Sequence, residues 1–368
     1  MKHRTRVAVL FGGRSGEHDV SIQSARSILG ALDPERYETV PVYLDPSGRW
    51  TTQDETAGAL AGNHEHTAQP LADAGETPGP LVTIAPVPPP ALAERMRNID
   101  VVFPVIHGTN GEDGTLQGLL ELAGLPYVGS GVLGSAVGMD KVTAKAVFRH
   151  HGLRIGNYLL VTRSSWRTHP EDARQRIERL LGYPCFVKPS NLGSSVGVSK
   201  VHDASELSGA LELAARYDRR IIVEQYLPGR EIECSVLGND DPIASVVGEV
   251  IPGHEFYNYE AKYVDDSSRL LIPAPLTPEQ SDEIRRTAIT AYTAIDCAGL
   301  ARVDFFLIDG TLYLNEINTI PGFTRISMYP KLWEASGVSY ADLVDRLIAL
   351  AIDRHAEKME NATTYATP

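Results

Sequence analysis

The run Val7 to Phe11 is a continuous, β-prone apolar stretch that ends in Gly12-Gly13, and a helix-like stretch from about Val20 to Leu32 follows it. A strand without polar alternation has no face to give to water. It belongs in a parallel sheet covered by helices on both sides, so this βα unit opens an α/β domain. Strands at Thr39 to Leu44 and Val101 to Val105, with leucines at helical spacing through Thr115 to Ala123, continue the alternation. Together they predict a doubly wound, parallel-sheet domain over residues 1–139. Within it, Thr51 to Asn98 is rich in Ala, Pro, Gly and Thr and contains Pro88-Pro89-Pro90, so 51–98 reads as an irregular surface excursion.

At 368 residues the chain exceeds one ordinary core. After Lys141 a helix is expected to end near Gly152, followed by short strands and a helix from Ala204 to Ala215, giving an α+β unit over 140–225. A third unit, 226–368, carries short strands, a helix from Thr277 to Asp296, a hairpin at Asp309-Gly310 and a closing helix from Tyr340 to Ile352. The formal net charge of -13 argues against a nucleic-acid-binding stripe, so any phosphate site has to be local. Val7 to Phe11 is too short for a secretory leader, and no stretch approaches the ~20 apolar residues that span a bilayer. Cys185, Cys234 and Cys297 are far apart in apolar contexts, which predicts buried thiols in a reducing cytoplasm.

The first loop, G-G-R-S-G-E-H-D-V-S from Gly12 to Ser21, lacks the G-x-G-x-x-G spacing of a dinucleotide site. It is either a tight turn feeding a helix or a platform for Glu17, whose carboxylate at a helix start can accept from a substrate ammonium. Phe186 to Val201 holds Lys188 at a strand end and then a loop of small residues that includes Ser194 and Ser195. Without a Walker pattern, this is either a flexible turn or a phosphate-covering hairpin with a surface lysine as its point charge. The strand Ile221 to Glu224 leads into Gln225-Tyr226-Leu227-Pro228-Gly229 and Glu231, a hinge able to meet an adenine edge and ribose hydroxyls.

Asp304 stands on one apolar strand, and Glu316 and Asn318 stand two residues apart on the next, so the last two share a face. They are either exposed polar positions on an edge strand or hard-oxygen ligands of the type Mg²⁺ takes alongside nucleotide phosphates. An odd-length loop, Ile308-Asp309-Gly310, is expected to bring Asp304 onto the same face as Glu316.

Six ordered blocks resemble the D-alanine–D-alanine ligase family of ATP-grasp enzymes over nearly the whole chain. They are Gly12 to Ser21, His107 to Gly118 (H-G-T-N-G-E-D-G-T-L-Q-G), Ser130 to Lys141, Lys188 to Gly197 (K-P-S-N-L-G-S-S-V-G), Phe256 to Tyr263 (F-Y-N-Y-E-A-K-Y), and Arg302 to Thr324. The resemblance implies a two-lobed ATP-grasp fold after the first domain. It implies that Lys141, Lys188, Ser194, Ser195 and Lys262 address ATP phosphates, that Glu224, Gln225, Tyr226 and Leu227 frame the adenine, and that Glu231 binds the ribose. Asp304, Glu316 and Asn318 would hold two Mg²⁺ ions, with Mn²⁺ as a substitute, beside Asn315. Glu17 would take the ammonium of the first D-alanine, Arg302 and the Gly322 N–H would meet oxyanions, and His107, Ser327 and Met328 would line the substrate pocket. Tyr263 would tie a lid to Glu17 and Ser194. Gln225 departs from the family, where a lysine is frequent.

The implied chemistry follows from charge. A carboxylate is a poor electrophile, so one D-alanine is first phosphorylated by ATP and the amine of a second then attacks the acyl phosphate. D-Alanyl-D-lactate or D-alanyl-D-serine ligation is the nearest rival, and a non-catalytic nucleotide-binding module is the rival of another class. The resemblance further implies a cytoplasmic homodimer working on small molecules in peptidoglycan precursor synthesis, with neither nucleic acid nor membrane as partner.

Overall fold

The computed structural model describes residues 4–62, 94, 96–193, 196–253 and 269–362. Strands β1 (Thr5–Gly12), β2 (Tyr37–Leu44) and β3 (Val101–Pro104) form a parallel sheet in the order β2-β1-β3. The unbroken apolar run lies on the central strand, and Val7 to Phe11 are all fully buried. Val7, Val9 and Phe11 enter one core with Ile22, Ala25 and Ile28 of the helix His18–Leu29, while Ala8 and Leu10 enter a second with Leu116 and Leu120 of the helix Thr115–Leu122. Each such side chain contributes roughly 1.5 to 3 kcal/mol by leaving water, which is why the run has no polar position.

The first helix starts at His18 rather than Val20 and ends at Leu29, short of Leu32. The 51–98 segment is regular at its start. It begins with a helix, Gln53–Ala61, started by a reciprocal capping box between Thr52 and Glu55 and closed by left-handed Gly62. Thr56 and Ala59 of this helix are buried. Residues 63–93 and 95 lie outside the described residues.

The middle sheet comprises β4 (Tyr158–Thr162), β5 (Cys185–Pro189), β6 (Ser199–Val201) and β7 (Arg220–Gln225), antiparallel in the order β4-β7-β5-β6. Ile177, Leu207 and Leu211 of two helices, Pro170–Leu180 and Ala204–Tyr217, seal it against Val187, Ile221 and Val223. The largest sheet comprises β8 (Arg230–Gly238), β9 (Ile243–Ile251), β10 (Arg269–Leu271), β11 (Gly299–Ile308) and β12 (Thr311–Asn318), antiparallel in the order β10-β9-β8-β11-β12. One of its faces is covered by the helix Pro278–Ala294, whose Ile284, Ala288 and Tyr292 meet Ile232, Val303 and Phe305. The alternate residues of β8, β11 and β12 therefore point the other way, toward a cavity.

The closing helix runs from Tyr340 to Met359, two turns beyond the expected Ile352, and sends Leu343, Val344, Leu347 and Ile348 into the core of the first sheet. Chain end and chain start thus share one core. All three cysteines are free and buried. Among the described residues no helix is long and apolar enough to cross a membrane.

Candidate active site

A cavity of about 1390 Å³ opens between the C-terminal end of the parallel sheet, the middle sheet and the outward face of the large sheet. Its first wall is set by glycine. A Cβ on Gly12, at φ 85°, would lie 2.2 Å from the Leu44 carbonyl, so only glycine lets β1 end against β2 there. The turn delivers Glu17 to the start of the first helix, where the Ser15 hydroxyl accepts from the Glu17 N–H at 3.0 Å. Glu17 is nearly buried and lines the cavity. His107 lies beside it, 2% exposed, and donates from Nδ1 to the Ile320 carbonyl at 3.0 Å. Since a carbonyl can only accept, this bond fixes the Nδ1 proton and ties His107 to the loop that carries Gly322.

Glu112, which the sequence reading did not single out, stands 3.7 Å from His107 Nδ1. Burial pushes the Glu112 carboxyl up, with His107 opposing it. Burial works against a charged His107, yet Glu112 and Glu17 together raise its pKa. The signal for Glu112 was its place in H-G-x-x-G-E, five residues beyond His107.

The opposite wall is the β11–β12 hairpin. Its loop has two residues, Asp309 and Gly310, at φ 48° and 79°, with Ile308 paired to Thr311. The three-residue loop expected from the sequence is therefore incorrect, and a regular ladder from this turn would set Asp304 opposite Asn315. A bulge between Asp304 and Phe305 absorbs Asn315 instead, so Asp304 faces Glu316 and Arg302 faces Asn318. All four side chains emerge on the cavity face. Arg302 grips both oxygens of Asp304, each at 2.7 Å, and Asn318 Nδ2 donates to Asp304 Oδ2 at 3.0 Å. On the neighbouring strand Glu233 pairs with Asp304 in register, and its Oε2 lies 3.0 Å from Arg302 Nε. Glu233 was also missed, although E-I-E at Glu231 and Glu233 is the same alternation that marked Glu316 and Asn318.

Lys145 is a third residue that sequence reading missed. It sits one helical turn after Lys141 on the helix Lys141–His150, with its side chain 4% exposed. Its Nζ donates to the carbonyl of the bulged Asn315 at 2.8 Å and pairs with Glu224 Oε1 at 2.8 Å. Lys188 Nζ takes the other Glu224 oxygen at 2.8 Å. Glu224 is thus a buried anion between two lysines. Burial alone would raise its pKa, but Lys145 and Lys188 hold it far below the carboxylate range. Lys188 is accordingly not the surface lysine expected from sequence, its side chain being 17% exposed. Replacing Lys188 with alanine is expected to cost about 1 to 3 kcal/mol of stability, because Glu224 keeps Lys145. ATP-dependent turnover should be lost in the same variant, and parallel urea unfolding and ADP-release measurements check both.

Lys141 Nζ reaches the Leu192 carbonyl at 3.0 Å and stands 3.5 Å from Glu316 Oε2, so it spans the small-residue loop and the hairpin. Beyond Glu224, Gln225, Tyr226 and Leu227 line the cavity rim, with the Lys200 ammonium 4.3 Å from the Tyr226 ring centre. Glu231 and Asn315 face the same space. At the far end Ser327 Oγ accepts from the Thr324 N–H at 3.2 Å and would lie 3.1 Å from a Cβ on Gly322. Gly248 on β9 gives Met328 room, since a Cβ there would lie 3.0 Å from its Sδ. Ser194, Ser195, Lys262 and Tyr263, with the stretch Phe256 to Tyr263, lie outside the described residues.

Chemically, the cavity offers two facing carboxylates and an amide for a hard cation, lysines at 141 and 188 for phosphate, and a guanidinium for a carboxylate or oxyanion. The set fits Mg²⁺, which takes few protein oxygens and completes its shell from phosphates and water.

Known proteins resemble this chain over nearly its whole length. The family model described as D-ala D-ala ligase N-terminus matches residues 6–130, and D-ala D-ala ligase C-terminus matches 147–349. A D-alanine--D-alanine ligase of Geobacillus kaustophilus is 50% identical over 365 residues, 98% of each chain. One from Solibacter usitatus is 52% identical over 357 residues, 96% of this chain and 98% of its own. Among solved structures, the D-alanine-D-alanine ligase from Coxiella burnetii superposes with a TM-score of 0.79 at 38% identity, covering 97% of this chain and 96% of its own. A D-Ala:D-Ser ligase from Enterococcus faecalis gives 0.78 at 34% identity, covering 95% of this chain and all of its own.

Proposed function

This chain belongs to the D-alanine–D-alanine ligase family, and from that premise we propose how its cavity carries out the reaction. The enzyme is an ATP-dependent, ADP-forming ligase that joins two D-alanine molecules into D-alanyl-D-alanine, a step of peptidoglycan precursor synthesis. The observation that carries the residue-level reading is the bulged hairpin, which brings Arg302, Asp304, Glu316 and Asn318 onto one cavity face.

Asp304, Glu316 and Asn318 would hold Mg²⁺, two ions with Mn²⁺ as a substitute, and the metal would supply positive charge against the triphosphate. Lys141 and Lys188 bind phosphate oxygens. Lys188 gives up Glu224 in doing so, and Glu224 keeps Lys145. The hinge Glu224 to Leu227 meets the adenine and Glu231 the ribose. Glu17 accepts from the ammonium of the first D-alanine and turns its carboxylate toward the γ-phosphate. Attack by that carboxylate oxygen breaks the bond between γ-phosphorus and the bridging oxygen, giving the acyl phosphate and ADP. The neutral amine of the second D-alanine, whose carboxylate is held at Ser327 beside Met328, then attacks the acyl carbon. Arg302 and the Gly322 N–H meet the tetrahedral oxyanion until the acyl carbon–oxygen bond breaks and inorganic phosphate leaves with the proton lost by the attacking amine. His107 keeps the Gly322 loop in place through the Ile320 carbonyl. Ser194, Ser195, Lys262 and Tyr263 complete the phosphate site and lid by resemblance alone.

The units 1–139, 140–225 and 226–368 are the substrate domain and the two grasp lobes, the last helix being shared with the first. A cytoplasmic homodimer without nucleic-acid or membrane partners completes the reading, on the family's likeness and the net charge of -13. The test is phosphate release from ATP with D-alanine as first substrate and D-alanine, D-lactate or D-serine as acceptor at neutral pH. D-Alanine is expected to be preferred over both others. A preference for D-serine or D-lactate overturns the acceptor assignment.

A further inference from the structure

Across the large sheet, Glu233, Asp304 and Glu316 stand directly opposite one another on three adjacent strands, a transverse row of carboxylates on the cavity face. Arg302 occupies the next row, between Ser235 and Asn318. Its guanidinium engages both Asp304 oxygens, and its Nε lies 3.0 Å from Glu233 Oε2. Glu233 is 7% exposed and Arg302 is little more open, so neither charge can be handed to bulk water.

This arrangement sets up a competition. A cation held by Asp304 competes with Arg302 for this carboxylate, whose oxygens already accept two bonds from the guanidinium and one from Asn318. If Asp304 turned to the cation with nothing else nearby, Arg302 would be left as a buried charge without a counterion, which is strongly unfavourable. We propose that Glu233 is a positioning residue that takes over the guanidinium as Asp304 turns to the metal. It keeps Arg302 at the cavity wall and weakens its hold on the metal-binding carboxylate. The residue acts through Arg302 and touches neither cation nor substrate. This inference rests on the reading of Asp304 as a metal ligand.

The assay is Mn²⁺ binding, followed by the paramagnetic resonance of free Mn²⁺ with a non-hydrolysable ATP analogue present, so that no turnover is needed. Glu233→Gln is expected to weaken Mn²⁺ binding about 10- to 100-fold, the usual effect of losing an outer-shell partner. Adding Arg302→Met to it should restore most of that affinity, because the released guanidinium is what blocks Asp304. Glu233→Asp, which keeps the charge one methylene further back, should fall between wild type and Glu233→Gln, and serves in its place if the glutamine variant does not fold. Unchanged Mn²⁺ affinity in Glu233→Gln, with Asp304→Asn losing the metal, overturns the proposal alone. A loss that Arg302→Met fails to restore also overturns it, in favour of direct contact between Glu233 and the cation. If Asp304→Asn binds Mn²⁺ normally, the metal assignment itself is wrong and the proposal falls with it.

Discussion

Replacing Glu224 with glutamine is expected to lower stability by about 3 to 5 kcal/mol, the usual cost of removing one partner from a buried ion pair. In the parent, one carboxylate serves Lys145 and Lys188, each at 2.8 Å, from a side chain only 10% exposed. The neutral amide leaves two largely buried ammonium groups without the carboxylate they shared. The double variant Glu224→Gln with Lys145→Met removes one of those charges and should recover part of the loss, a non-additivity expected of residues in one network. Thermal and urea unfolding of the three proteins decide the matter, and a single variant within about 1 kcal/mol of the parent would refute the buried-triad account.

The same carboxylate gives a pH dependence of definite sign. Burial raises the Glu224 pKa and the two lysines lower it, and the lysines prevail, so the folded value lies below the ordinary 4.5. The unfolded chain therefore binds the proton first as pH falls. The contribution is complete above about pH 4.5 and is lost as pH drops from there through the folded value. Glu224→Gln should lack that part of the acid limb.

Arg302→Lys is expected to lower kcat about 10²- to 10³-fold with little change in KM for ATP, the scale of losing one preorganised oxyanion donor. Charge is retained in this variant, so the loss measures geometry. A guanidinium holds both oxygens of Asp304 through two of its nitrogens and stays within ion-pair distance of Glu233, whereas an ammonium is a point charge that settles on one carboxylate. Rates of ADP release at saturating D-alanine check it. A variant within about threefold of the parent kcat would remove Arg302 from the oxyanion role.

Much of the fold was legible because it is written in local patterns. The unbroken apolar run of β1 implied burial on both faces, and both faces are buried. The motif blocks marked the family, and the alternation of Glu316 and Asn318 marked a shared face. Where the reading failed, the cause was distance along the chain. The shared face of Asp304 and Glu316 implied a three-residue turn, but a two-residue turn followed by a bulge at Asn315 gives the same facing by another route. Nothing in the hairpin's own sequence distinguishes these, because a bulge is fixed by what receives the extra carbonyl. Here that is Lys145, 170 residues earlier.

The sequence by itself determined which segments would be strands, which glycines would end them, and which chemical groups would be available. Only the tertiary structure decided that Lys188 is one of two lysines on a buried carboxylate, that Lys145 binds hinge strand and hairpin together, and that Glu233 stands beside Arg302. Local conformation follows from a residue and its near neighbours through sterics and periodicity. The partner of a charge follows from strand order and register, which only the assembled sheets define.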